Sequence, residues 1–199
     1  MAKPRGQTLQ QKLGFSDPEL TTPKHDELMI WLDRWLDTNC AYLIASVGHK
    51  VSDDVIVDEG AYHPDRTRSP AKFVSEFNVA IPDVPYRTYV PRKTWEYPIT
   101  DRSYTIGFAD MKCSVRTDGR IYYSPTTGEF SRENYECVFF FEVKPTIPSL
   151  GEVIRQIRMY QTYTREYSVI SGWFIVSPDD RYKDYIVDQR IGFIAAPTN

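Results

Sequence analysis

The residues best placed to do chemistry in this chain are Asp110, Glu142 and Lys144. Glu142-Val143-Lys144 ends a very apolar run, Cys-Val-Phe-Phe-Phe, that reads as a β-strand. Alternate side chains of a strand share a face, so Glu142 and Lys144 point one way while Phe141 and Val143 point into the opposite layer. Asp110 closes a second short apolar run, Thr-Ile-Gly-Phe-Ala, one hairpin upstream. The two strands are therefore expected to be neighbours and their carboxylates to converge. Such a like-charge pair is costly. A hard divalent cation removes the cost, because Mg²⁺ takes oxygen ligands octahedrally and keeps several waters. On the following helix Gln156 and Tyr160 are four apart and share a face. They lie along the edge of the stripe Leu150, Val153, Ile154 and Ile157, with Arg155 and Arg158 turned away. Each feature alone has a plain structural explanation: an ion pair at a strand end, an Asp that ends a strand, a Tyr at a core boundary.

The elements that must position these residues follow from local signals. Thr22-Pro23 with acids behind it is a helix start, and Leu28, Trp31, Leu32 and Trp35 fall on one face of a helix expected to end near Asn39. Tyr42 to Val47 reads as a strand, and Ser69-Pro70 as the opening of a short helix that carries Glu76. Prolines at 82, 85 and 91 suggest loops and edge strands. Tyr104 to Val115 reads as a strand, and Asp118-Gly119 as a hairpin turn. Residues 116–136 are expected to form an inserted, protruding hairpin. Cys137–Val143 is apolar on both faces and reads as a central, covered strand. Ser149 opens a helix to about Glu166. Gly172 to Val176 is a strand, Asp180 to Gln189 a helix and Ile191 to Ala195 a last strand. The whole is an α/β arrangement in which helices flank a mixed central sheet.

Taken together, Gly-Phe-Ala-Asp110, Phe-Phe-Glu142-Val143-Lys144-Pro and Arg-Gln156-Ile-Arg-Met-Tyr160 resemble the PD-(D/E)XK nuclease superfamily. They are most similar to the branch of RecB-type exonuclease domains and CRISPR adaptation exonucleases. The resemblance covers roughly residues 100–195 and implies a restriction-endonuclease-like core. It implies that Asp110, Glu142 and the main-chain carbonyl of Val143 hold Mg²⁺ or Mn²⁺. Lys144 would orient the attacking water or stabilise the transition state, and Gln156 and Tyr160 would position water or the nucleic-acid backbone. The family's acid on the first helix would be Glu27, with Glu76 as the substitute; helical projection puts His25 nearer the centre of the apolar stripe, where a histidine reads as a core residue. Ala109 stands where the superfamily's name has proline. The four cysteines of its iron–sulfur members are absent, so no cluster is implied. The implied activity is metal-dependent hydrolysis of phosphodiester bonds, with DNA the expected polymer. The alternative on the same fold is a catalytically silent subunit for nucleic-acid binding or assembly. A third reading, a ligand- or protein-binding module, would use the 14% aromatic content but leaves Glu-x-Lys unexplained.

Composition sets the bounds. A chain of 199 residues fits a single domain with a real core; residues 1–20 are polar and expected to be loosely held. Three cysteines without a Cys-x-x-Cys pair argue for reduced, buried thiols. The net charge of −3 counts against nucleic-acid binding by the whole surface and leaves room for a local basic groove. Lys112, Arg155 and Arg158 are candidates to contact flanking phosphates. No apolar run has the length of a membrane span and the N-terminus lacks an apolar leader, so a cytosolic protein is expected, free or in a homo-oligomer or larger complex.

Overall fold

A computed structural model describes residues 22–47, 54–58, 67–83, 90–102, 104–164 and 170–198. The segment 1–20 and Arg165 lie outside the described residues. Helix α1 (Pro23–Ser46) begins where expected: Pro23 takes the first turn, and Thr22 Oγ1 accepts from the His25 N–H at 3.3 Å. It does not stop at Asn39. The stripe Leu32, Leu36, Cys40, Leu43 and Ile44 stays buried to its end, so the expected strand at Tyr42–Val47 is the last turns of this helix. The β-branched and aromatic residues there suit a strand locally, and burial of the helical stripe overrides that preference.

The remaining elements are β1 (Val55–Val57), β2 (Thr67–Arg68), α2 (Pro70–Phe77), β3 (Arg92–Asp101), β4 (Tyr104–Ser124), β5 (Glu129–Val143), α3 (Leu150–Tyr163), β6 (Ile170–Ser177), α4 (Lys183–Asp188) and β7 (Gly192–Ala195). They build a seven-stranded mixed sheet ordered β2-β1-β4-β5-β6-β7, with β3 also on β4. β5 is central: it pairs antiparallel with β4 and parallel with β6. Its Phe139 and Phe141 are fully buried, as an apolar run covered on both faces requires.

α1 covers one face of the sheet, packing on Met111, Cys113, Cys137, Phe139 and Phe141. α3 and α4 cover the other, over Val138, Phe140, Trp173 and Ile175. A third, smaller core gathers Val55, Val57, Phe73, Ile121 and Tyr123 under α2.

The largest departure from the sequence reading is at Asp118-Gly119, which is not a turn. β4 runs through it with a bulge between Asp118 and Ile121, and the hairpin turns at 125–128, where Gly128 has φ 71°. Gly119 is small for a different reason: an added Cβ would lie 1.9 Å from the Tyr135 ring. Residues 116–136 do form a hairpin, continuous with the strands on either side of it. They extend β4 and β5, and β1 pairs parallel with β4 along Ile121–Tyr123 to cover that extension.

Candidate functional site

The end of β5 brings together Glu142, Lys144 and, from β4, Asp110. Lys144 Nζ lies 3.1 Å from Glu142 Oε1. Gln156 Nε2 donates to the same oxygen at 2.8 Å and to the Tyr160 hydroxyl at 3.3 Å, so the helix pair faces the carboxylate. Glu142 Oε2 is buried and has no hydrogen-bond partner among the described residues.

Asp110 arrives by an irregularity in two strands at once. Ala109 belongs to the core under α3 and Met111 to the core under α1. Regular alternation would place both on one face, so β4 rolls over at Asp110. Opposite, Trp95 turns to α1, its Nε1 donating to Asp33 Oδ1 at 3.2 Å, while Tyr97 packs on the α3 side. Between them Glu96 has φ 48°. The ladder pairs Trp95 with Met111 and Tyr97 with Ala109 on either side of this rung.

The rollover sends the Asp110 carboxylate along the sheet towards β5. The β4–β5 pairing ends at Met111 opposite Phe141, and there Asp110 Oδ2 accepts from the Val143 N–H at 2.6 Å. The N–H and C=O of one strand residue leave on the same edge. The Val143 carbonyl therefore faces this same gap. Beyond it Lys144 N donates to the Val176 carbonyl at 2.9 Å, and Ile147 N to Asp179 Oδ2 at 3.1 Å, which fixes the strand end against β6.

Burial governs the electrostatics. Glu142 is 1% exposed, and Asp110 and Lys144 are each 4% exposed. Burial first, and the Asp110 charge second, push the Glu142 carboxyl well above its usual range, against the Gln156 hydrogen bond. Burial pushes the Lys144 ammonium down to about 8. Tyr160 is pushed upward by burial and by the Glu142 charge, so its hydroxyl keeps its proton and acts as a neutral hydrogen-bonding group.

The first helix contributes His25, not an acid. His25 Nε2 lies 3.5 Å from Asp110 Oδ1 and Nδ1 3.6 Å from Asp26 Oδ1, and the buried side chain has, among the described residues, no partner in hydrogen-bonding geometry. Burial disfavours its charge, but Asp110 and Asp26 outweigh that and raise its pKa above 6.5. Glu27 is exposed on α1, and Glu76 sits on α2 in an ion pair with Arg68 at 3.0 Å. The signal for His25 was its place at the centre of the stripe, which reads equally as core. Of the outlying cations, Lys112 lies 4.4 Å from the Tyr97 ring centroid, and Arg158 donates to the Gln189 carbonyl at 2.6 Å; Arg155 is exposed.

Among the described residues, no three or more His, Cys, Asp or Glu side chains close on a single point as a metal cage. What the site offers instead is a carboxylate oxygen without a partner and a second carboxylate whose charge it feels, with strand geometry directing the Val143 carbonyl to the edge where its N–H meets Asp110. That set suits an ion that keeps most of its waters, as Mg²⁺ does. No family model, curated protein or solved structure matches this chain. Among the described residues, no helix is long and apolar enough to cross a membrane.

Proposed function

We propose that this protein is a divalent-metal-dependent nuclease with a restriction-endonuclease-like core, hydrolysing phosphodiester bonds in nucleic acid, with DNA the expected polymer. The observation that carries the reading is the unpartnered, buried Glu142 Oε2 beside Asp110 and Lys144. A buried carboxylate with an unsatisfied oxygen and a like-charged neighbour is unfavourable by itself and favourable around a cation.

In this reading Asp110, Glu142 and the Val143 carbonyl hold Mg²⁺ or Mn²⁺. The ion would acidify a bound water and offset charge on the scissile phosphate. Lys144 supplies a fixed positive charge next to Glu142, placed to stabilise charge developing on the phosphate. Gln156 orients the Glu142 carboxylate through its 2.8 Å hydrogen bond, and Tyr160 in turn holds Gln156. His25 takes the first-helix position and faces Asp110.

One observation favours the silent-subunit alternative. Both Asp110 oxygens already face groups of the chain, Oδ2 the Val143 N–H and Oδ1 the His25 ring. The two readings part in one assay: linear, circular, single-stranded and branched DNA and RNA incubated with the protein and Mg²⁺ or Mn²⁺, alongside Mn²⁺ titration calorimetry. A nuclease binds Mn²⁺ and cuts at least one substrate. Absence of both Mn²⁺ binding and cleavage would leave only the silent subunit.

A further inference from the structure

Glu96 lies outside the site, and its backbone is the most unusual feature near it. A bulky residue with positive φ inside a strand is rare; Glu96 holds φ 48° in the middle of β3. The rung it occupies is opposite Asp110, where both strands change face together: Trp95 and Met111 belong to the α1 side, Tyr97 and Ala109 to the α3 side. A single rolled strand would break the flanking pairs. Here Trp95–Met111 and Tyr97–Ala109 are both kept, so the two reversals compensate.

We propose that Glu96 is a positioning residue for the metal centre and acts through its backbone. Its left-handed conformation lets β3 follow β4 through the rollover, and the rollover carries the Asp110 carboxylate out of the regular side-chain alternation to the Val143 N–H, 2.6 Å away. Without it β4 would keep its alternation to remain paired with β3, and Asp110 would leave the gap beside Glu142. The Asp110–Val143 geometry is in the structure; its use in holding an ion rests on the nuclease reading above.

Two variants separate conformation from side chain. Glycine adopts positive φ without a steric penalty and a β-branched residue does not. Glu96→Gly should keep the Val143 amide as protected from hydrogen exchange as in the parent and keep Mn²⁺ affinity unchanged. Glu96→Val should fold, because β3 stays paired on either side of this rung. It should lose protection at Val143 selectively and bind Mn²⁺ about tenfold more weakly, a loss of the size seen when groups that orient metal ligands are removed. A merely structural role would lower the melting temperature of Glu96→Val and slow or speed exchange evenly across the sheet. Even exchange, or a Val143 amide protected equally in both variants, overturns the proposal whatever the metal data say. Selective loss at Val143 in a parent protein that takes up no Mn²⁺ would uphold the positioning role and remove the metal reading instead.

Discussion

At the residue scale the decisive quantity is the charge of Glu142 in the metal-free protein. Its carboxyl is held well above the ordinary value of 4.5 by burial and by Asp110. Between those two values the folded chain keeps a proton that the unfolded chain has released, so stability falls as pH rises through that window. Lys144 acts at higher pH. Below about 8 both states hold its proton and the cost of burying the charge is fully present; from about 8 towards 10.5 the folded state has released it and the cost is relieved. Glu142→Gln removes the first titration and leaves the second. Its metal-free melting temperature is expected to equal or exceed the parent's at neutral pH and to lose the decline above the carboxylate range. The same variant should gain little from millimolar Mn²⁺, whereas the parent gains stability by mass action, and should cut no nucleic acid. Melting curves across pH, with and without Mn²⁺, check all of this. A Glu142→Gln protein that Mn²⁺ stabilises as much as the parent would remove Glu142 from the centre.

Tyr160 needs a gentler substitution than Gln156. It is fully buried, with its ring 5.6 Å from that of Trp173. Truncation to Ala would open a cavity costing about 3–5 kcal/mol, which would confuse folding with function. Tyr160→Phe keeps the packing and removes only the hydroxyl, which meets Gln156 and the Phe108 backbone. Gln156→Ala and Tyr160→Phe are both expected to slow cleavage at little cost in melting temperature, Gln156→Ala the more, because it alone touches Glu142. Equal activity in both variants and the parent would reduce the pair to packing.

At the scale of elements, the parts of the fold that the sequence made legible are those where burial and local preference agree. Cys137–Phe141 is apolar on every residue and its strand is central; Ser69 and Ser149 each precede a helix; Gly172–Val176 and Gly192–Ala195 lie on strands, the last beginning one residue after Ile191. The failures share a cause: a residue chosen for a neighbour distant in sequence mimics a local signal. Gly119 looks like a turn because Tyr135, on the returning strand, leaves no room for a Cβ. Tyr42–Val47 looks like a strand because the helical stripe beneath it is visible only once Met111 and Phe139 are in place. His25 was hidden in the same way, since only the roll of β4 brings Asp110 to it. The Gly119 account is testable. Gly119→Ala must push the Tyr135 ring aside and should cost about 1–3 kcal/mol as overpacking does, whereas an ordinary strand glycine replaced by alanine would gain stability. Urea denaturation of the two proteins decides the sign.

Over the whole molecule the cores are not equal in their reach. Those on either side of β5 share that strand, whereas the small core under α2 rests on the far end of the β4–β5 hairpin. Phe73 is its centre, fully buried and 5.0 Å from Tyr123 between ring centroids. Phe73→Ala is expected to cost about 3–5 kcal/mol locally, freeing amide exchange in β1 and β2 while the amides of β5 and β6 keep theirs. Uniform loss of protection would mean that the three cores melt as one.

The three buried thiols offer a second whole-molecule test. Burial, and then Glu136, push Cys137 up to about 11; the Cys40–Cys113 contact, with burial second, pushes Cys113 upward and draws Cys40 down, so Cys40 is shielded by its burial alone. Alkylation at neutral pH should therefore await unfolding, and labelling of the native protein within minutes would contradict this core.

The turn at 125–128 joins a strand of twenty-one residues to one of fifteen. Its ends meet by closing a very short loop, a step of nanoseconds, and such hairpins zip within about 1–10 μs. The parallel contact of β5 with β6 must wait for α3 to cross over, and α1 must return from the other end of the chain. Loop length predicts the order of assembly: the ribbon is expected to form first, and Gln156, Tyr160 and His25 to reach Glu142 and Asp110 last. A nascent or truncated chain that has made its ribbon but not docked its helices would present Asp110 and Glu142 still open to water, before Gln156 and His25 have closed over them.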